Sequence, residues 1–188
     1  MKRAFDVSAC ALFLLFFWPI LLIIVIAIRL QSPGAAIFKQ IRVGKDGRPF
    51  TCYKLRTMYS GTANLPTHEV QASSVTVLGD HLRRFKIDEL PQLYNVLSGD
   101  MSLVGPRPCL PSQAELVEAR RQLGVLAVRP GITGLAQVGG IDMSDANRLA
   151  EVDAQYVRSQ SFSGDLRLIW ATLRGRGVGV DQVVRHST

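Results

Sequence analysis

VSACALFLLFFWPILLIIVIAI, residues Val7 to Ile28, is the stretch on which the fold turns. Its 22 residues carry no charge, and Ser8 is their only hydroxyl. A helix of that length extends roughly 33 Å, enough to cross a hydrocarbon core of about 30 Å. A domain of 188 residues has little room to hide so apolar a run, so the segment is predicted to enter a membrane. Pro19 complicates a simple span, because proline lacks a backbone donor and its ring clashes with the carbonyl four residues earlier. The residues alone leave two arrangements open, a straight span or a hairpin that bends at Pro19 and returns. Proline is tolerated in spanning helices when neighbours satisfy the freed backbone.

The formal net charge is +7, and the whole excess lies beside that stretch. Residues 1–60 hold nine Lys/Arg against Asp6 and Asp46, whereas residues 61–188 hold thirteen of each sign. A nucleic-acid binder carries its excess as a basic face on the folded domain. A cluster beside a membrane segment is instead drawn to anionic headgroups, at about 1 kcal/mol per residue near the surface. Anionic membrane lipid, and no nucleic acid, is the expected partner. Both flanks are basic, with Lys2 and Arg3 before and Arg29, Lys39, Arg42 and Lys45 after. Because Lys and Arg favour the cytoplasmic side, a straight span strands one flank, while a hairpin satisfies both. A cleaved signal peptide fits poorly, since the run is too long and no small-x-small site follows it. Cys10, Cys52 and Cys109 are far apart, which gives neither a disulfide framework nor a zinc site and suits a reducing compartment. His68, His81 and His186 are scattered and read as surface residues.

Beyond the turn at Ser32-Pro33-Gly34, AIFKQIRVG and PFTCYKLRTM read as two strands of a hairpin. Lys54 and Arg56, two apart, project from one strand face, either into solvent or toward an anion. Residues 60–75 are polar and read as a loop. A short helix over Leu78–Phe85 is followed by a second from Glu89 to about Leu97. Asp88 is expected to cap this second helix, with Pro91 in its first turn and Gly99 past its end. That geometry places two adjacent carboxylates at a helix N-terminus. Arg107 lies between Pro106 and Pro108, on backbone with few accessible states. Pro111 to about Val125 reads as an amphipathic helix, and residues 129–140 as a turn-rich loop that is neither a dinucleotide fingerprint nor a Walker A loop. A helix from Asp145 to Val157 should turn Leu149, Val152 and Tyr156 inward, and Glu151 and Asp153 elsewhere. A last helix, Gly164–Leu173, places Leu166, Ile169, Trp170 and Leu173 on one side and Arg167 and Arg174 on the other. That face could pack on the core or lie in a membrane interface.

An acidic pair surrounded by Lys54, Arg56, Arg83 and Arg107, with no thiol or histidine machinery, suggests phosphate chemistry with a carboxylate holding a divalent metal. An Asp-Glu dipeptide alone is weak, since most such pairs merely start helices. Taken together, however, Lys2-Arg3-x-x-Asp6, TCYKLRTM (51–58), IDELPQLYNVLSGDMSLVGPRP (87–108) and VRPGITGLAQV (128–138) resemble the bacterial sugar transferase family. These are small monotopic polyprenol-phosphate phosphoglycosyl transferases, and the resemblance covers essentially the full chain.

The resemblance implies a cytoplasmic-face enzyme of the bacterial inner membrane. It would transfer a sugar-1-phosphate from a UDP-sugar to undecaprenyl phosphate and release UMP. This is the first membrane step of glycoconjugate assembly, whether O-antigen, capsule, exopolysaccharide or glycoprotein glycan. Asp88 would attack the sugar-bearing phosphate to form an aspartyl phosphosugar, and the polyprenol phosphate would then attack that intermediate. Glu89 would ligate Mg²⁺, and Arg83, Lys54 and Arg107 would contact phosphate. The implied fold is an α/β, mainly helical, membrane-associated catalytic domain. Residues 1–30 would form an N-terminal re-entrant membrane helix broken at Pro19, residues 31–188 the catalytic domain, with interfacial amphipathic helices. A homodimer is left open.

There are departures from the family pattern. Trp18-Pro19 stands where relatives often have Ser-Pro, so the bend would rest on Pro19 alone. Gly139-Gly140-Ile141 stands where many have Asn-Gly-Arg, so no sugar preference can be copied. Two rivals survive at this level, a non-catalytic basic membrane adaptor and a glycosyltransferase that releases UDP.

Overall fold

The computed structural model of the chain describes residues 1–59 and 74–175. Its first element, α1 (Lys2–Gln31), is one continuous helix that stays helical through Pro19. The expected break at Pro19 is therefore absent from the backbone: the missing donor removes one bond from the ladder, and the turns on either side persist. The helix is also longer than the apolar run, because the charges that bound that run are satisfied by the folded domain. Lys2 Nζ pairs with Asp165 at 2.6 Å, and Ser102 Oγ donates to the buried Asp6 carboxylate at 2.7 Å. Arg3 donates to the carbonyls of Leu97 and Met101. At the far end Arg56 donates to the carbonyls of Ile28, Ser32 and Pro33. Both ends of α1 are thus tied to the same body. Most of the apolar surface between them, from Leu15 to Ile23, faces outward, with Phe16 at 68% exposure.

Strands β1 (Ile37–Val43) and β2 (Pro49–Leu55) form the expected antiparallel hairpin, with Lys39 opposite Tyr53 and Ile41 opposite Thr51. Its turn holds Asp46 at φ 57° and Gly47 at φ 75°. The polar loop read over residues 60–75 falls mostly outside the described residues. Helix α2 (Val77–Arg84) lies close to its expected place and is capped by Thr76, whose Oγ1 accepts from Gly79 N at 3.0 Å.

The next element differs from expectation. Residues Ile87–Glu89 form a single 3-10 turn, entered through Lys86 at φ 56°, and helix α3 begins only at Gln92 and runs to Ser98. Asp88 sits inside this turn and caps nothing. Pro91 has no N–H to donate back along the chain, so the coil winds through i→i−3 bonds from Glu89 N, Leu90 N, Leu93 N and Tyr94 N before α-type bonding takes over. Gly99, at φ 97°, ends α3 as predicted.

Strand β3 (Ser102–Val104) pairs in parallel with β4 (Gly131–Thr133), a pairing the turn-rich reading of residues 129–140 did not foresee. Two glycines permit the approach: a Cβ on Gly131 would lie 2.1 Å from Gly105 N, and one on Gly105 would lie 2.5 Å from Arg129 O. Helix α4 (Ala114–Gln122) is shorter than expected, and a 3-10 turn at Val125–Ala127 follows it. Helices α5 (Leu135–Val138), α6 (Ala146–Ser159) and α7 (Phe162–Leu173) are the last of the described elements. Asp145 and Ser161 supply the N-cap oxygens of α6 and α7.

Among the described residues the chain is mostly helical, with two small two-stranded sheets. Its core has three parts. One joins α4 and α6 through Leu116, Leu149 and Ala150, together with Val43 and Cys109. Another packs Cys10 of α1 on Cys52, Leu93, Val96 and Met101. The third packs Ile28 of α1 on Ala36, Leu55 and Leu82. Each fully buried aliphatic side chain contributes about 1.5–3 kcal/mol, so both ends of α1 help hold the folded domain together.

One side-chain expectation is corrected, and one open alternative is narrowed. Asp153, read as facing away from the core, is fully buried and paired with Arg120 of α4 at 2.6 Å. The apolar side of α7 is exposed, with Trp170 at 57% and Leu173 at 75%, so it is not a core face among the described residues.

Candidate active site

The 3-10 turn brings Asp88 and Glu89 out of solvent, and both are buried. Two cations converge on one carboxylate oxygen. Lys54 Nζ, from β2, lies 2.8 Å from Glu89 Oε1, and Arg107 Nη2, from the loop after β3, lies 2.7 Å from the same atom. Strand β2 aims Lys54 inward because the hairpin packs against both the turn and α3. Arg107 is held by flanking prolines on a loop that lies against Pro130 and Gly131.

This geometry splits the two carboxylates. Burial acts to raise the Glu89 pKa, but the charges of Arg107 and Lys54, with their hydrogen bonds, outweigh it and hold Glu89 well below the usual carboxylate range. Asp88 makes no ion pair among the described residues. Burial, and then the charge of Glu89, push it up to about 6, while Lys54, Arg107 and Arg83 pull in the opposite direction. One carboxylate is therefore held toward its ionised form by two cations, and its neighbour, without an ion pair among the described residues, is shifted the other way. Divergent environments of this kind mark acid, base and nucleophile assignments.

Of the residues singled out from sequence, Asp88, Glu89, Lys54 and Arg107 come together. Arg83 stands at the edge of the group, its Nε donating to Thr57 Oγ1 at 2.9 Å and its charge felt at Asp88. Arg56 does not join them. Its guanidinium caps the C-terminal end of α1, with Nη1 2.7 Å from Pro33 O and Nη2 2.6 Å from Ser32 O. Pro19 lies on the exposed middle of α1. Asp100 and Arg129, which fall in the same sequence blocks, bond to the turn after α3: Asp100 accepts from Ser98 Oγ, and Arg129 donates to Gly99 O.

Sequence reasoning missed Asn95, which is fully buried on the face of α3 that meets β2. Its Oδ1 accepts from Tyr53 N at 3.1 Å, and its Nδ2 donates to Thr51 O at 2.7 Å. The available signal was an amide placed between Leu93 and Val96 on the apolar stripe of a helix. It also missed Thr57, which holds Arg83.

Among the described residues no three His, Cys, Asp or Glu side chains gather into a metal cage. The two adjacent carboxylates still suit a hard cation. Mg²⁺ binds through one or two carboxylates plus substrate phosphates and keeps much of its water. Both cations occupy Oε1 of Glu89, which leaves Oε2 and the Asp88 carboxylate as oxygen donors.

The family model described as Bacterial sugar transferase matches residues 1–176. The chain belongs to the bacterial sugar transferase family. Relatives of this transferase include the UDP-glucose:undecaprenyl-phosphate glucose-1-phosphate transferase of Caulobacter vibrioides, 42% identical over 181 residues, covering 92% of this chain and 68% of the relative. The uncharacterized sugar transferase EpsL of Bacillus subtilis is 42% identical over 181 residues, covering 93% of this chain and 86% of EpsL. The undecaprenyl-phosphate glucose phosphotransferase of Komagataeibacter xylinus is 39% identical over 186 residues. That match covers 92% of this chain but only 35% of the longer protein.

Proposed function

We propose that this transferase moves a sugar-1-phosphate from a UDP-sugar to undecaprenyl phosphate, and that Asp88 is its nucleophile. The observation that carries this reading is the split pair: a buried, unpaired Asp88 beside a Glu89 locked by Lys54 and Arg107. The names of the relatives support the substrate class and make UDP-glucose the first donor to test.

In the first step an Asp88 oxygen attacks the phosphorus that bears the sugar. The bond from that phosphorus to the bridging oxygen breaks, and UMP leaves with the electron pair. In the second step an oxygen of undecaprenyl phosphate attacks the same phosphorus and returns Asp88 as free carboxylate. The products are UMP and the undecaprenyl-diphosphate-linked sugar. Arg107 suits a forked contact with phosphate oxygens, and Lys54 a point-charge contact. Arg83 extends the positive rim beyond Asp88. Their charges also keep Asp88 from rising further, which favours the ionised nucleophile. Mg²⁺, held by Glu89 Oε2 and substrate oxygens, would neutralise charge on the phosphates. Arg56 is proposed instead as the clamp that fixes the end of α1 to β2.

The same reading covers membrane placement. A helix tied at both ends to one domain cannot leave its termini on opposite sides of a bilayer unless the domain crosses too, so α1 is proposed to dip into the cytoplasmic leaflet of the inner membrane. Its basic flanks agree with this. Helix α7 is proposed to lie in the interface, with Trp170 and Leu173 toward lipid and Arg174 stacked over Trp170 at 4.7 Å. Labelling a tag at residue 1 in intact cells tests the dip, and a periplasmic tag rejects it.

The test of function is to incubate the full chain in nanodiscs with undecaprenyl phosphate, Mg²⁺ and a panel of UDP-sugars including UDP-glucose, and to identify the nucleotide released. UMP is expected, and Asp88→Asn should reduce its release by about 10⁴-fold or more while membrane association survives. Release of UDP would convert the assignment to a glycosyltransferase. An Asp88→Asn variant with full function would leave the adaptor reading.

A further inference from the structure

Arg107 belongs to no helix or strand, yet the backbone around it is held at four consecutive carbonyls. Pro106 O accepts from Gly131 N at 2.9 Å, and Cys109 O accepts from Val43 N at 2.9 Å. The two carbonyls between them are held by arginine side chains. Arg120 Nη1 donates to Arg107 O at 2.9 Å, and Arg42 Nη1 donates to Pro108 O at 3.0 Å. Both guanidinium groups are buried, with Arg120 at 2% exposure and Arg42 at 9%.

Their charges are handled differently. Arg120 directs Nε and Nη2 to Asp153 Oδ2 at 3.0 and 2.6 Å, which neutralises it and leaves Nη1 for the loop. Arg42 meets Gln40 Oε1 through Nη2, pairs with no acid among the described residues, and has an Nε without a partner. Burying a cation without a counter-ion is costly. An apolar side chain at either position would serve packing at lower cost. What the arginines add is a long, planar, multi-donor side chain that reaches backbone oxygens no neighbouring strand covers.

Building on the proposed transferase reading, we infer that Arg120, with its counter-ion Asp153, and Arg42 are positioning residues that aim the Arg107 guanidinium at Glu89 and the substrate phosphates. Pro106 and Pro108 restrict the torsions on either side of Arg107, and the two buried arginines fix its carbonyl plane and the next. The side chain then leaves a backbone with no freedom to swing. Misplacing a catalytic group by about 1 Å can cost about 100-fold in rate, so this clamp acts on chemistry without touching substrate.

The test uses the full chain in nanodiscs and the rate of UMP release. Replacing the buried pair by apolar side chains of similar volume, R120M/D153L, should keep the fold at a modest loss of thermal stability, set by the Arg107 carbonyl left without its donor, and lower the rate by about 10- to 100-fold. In an Arg107→Ala background the same double substitution should cost nothing more, because it acts only through Arg107. Arg42→Met should behave likewise, and Arg42→Lys, which keeps one donor for Pro108 O, should regain most of the rate. A stable R120M/D153L variant with the wild-type rate overturns the inference, as do losses that multiply with Arg107→Ala. Should the pair replacement lose its fold, the Arg42→Met and Arg42→Lys comparison decides by the same two criteria. A wild-type chain that releases no UMP rejects the transferase reading itself, a different result from an active enzyme indifferent to these arginines.

Discussion

Asn95→Ala is the substitution whose cost can be worked most directly from the geometry. The side chain is fully buried, and its amide satisfies Tyr53 N at 3.1 Å and Thr51 O at 2.7 Å. Strand β1 pairs with the other edge of β2, so Asn95 stands in for a missing third strand. Truncation leaves one backbone N–H and one C=O unsatisfied at a site removed from water, at about 1–3 kcal/mol each. A water entering the space would recover part of this, so about 3 kcal/mol is the expected loss. For a chain of this size that corresponds to a fall in Tm of about 6–12 °C. Because the released strand carries Lys54 to Glu89, UMP release should fall as well, even well below the transition. Asn95→Asp keeps the acceptor for Tyr53 N, loses the donor to Thr51 O and sets a second carboxylate beside Asp100, so it should be at least as damaging. Thermal unfolding by circular dichroism in matched detergent, with the rate measured in parallel, checks both effects. A Tm within about 2 °C of wild type for Asn95→Ala would refute the reasoning, since two buried backbone groups cannot lose their partners so cheaply.

Three other outcomes are expected. Burial, followed by the Glu89 charge, raises Asp88 from 3.8 to about 6; a raised acid is ionised only above that value, so kcat/KM for UMP release should climb as pH rises through about 6 and level off above it. A profile flat from pH 5 to 7 at constant stability would count against Asp88 as nucleophile. Gly79→Ala, normally a gain of about 1 kcal/mol in a helix interior, should instead destabilise by about 1–3 kcal/mol, because the new Cβ would lie 2.1 Å from Thr57 O; denaturant unfolding reads the sign. Trp170→Asp with Leu173→Asp on the exposed face of α7 should weaken co-sedimentation with anionic liposomes while leaving the melting temperature in detergent nearly unchanged, and unaltered lipid binding would remove α7 from the interface.

Local features were legible in the residues. The apolar run announced α1, alternation gave the β1–β2 hairpin, and Asp145 and Gly99 punctuated α6 and α3 where propensity says they should. The Asp88-Glu89 dipeptide was visible too, although its reading as a helix cap failed: Pro91 delays regular α-helical bonding until Gln92, so the pair rides a 3-10 turn. Strand periodicity showed that Lys54 and Arg56 share a face, but it could not show that Lys54 would meet Glu89 while Arg56 would be taken by the end of α1. Periodicity likewise sent Asp153 outward, because a charged residue scores as a surface residue whether or not Arg120 waits for it.

What the sequence determined by itself, then, is everything set within a few residues: the long apolar helix, the hairpin, the caps, and an acidic pair near basic motifs. Only the tertiary structure decided which charges meet. Lys54 and Arg107 lie 35 and 18 residues from Glu89, and Arg120 lies 33 from Asp153. Those pairings depend on how β2, α3, β3, α4 and α6 pack together. Packing is fixed by the burial of faces across the whole chain, and no local spacing contains it.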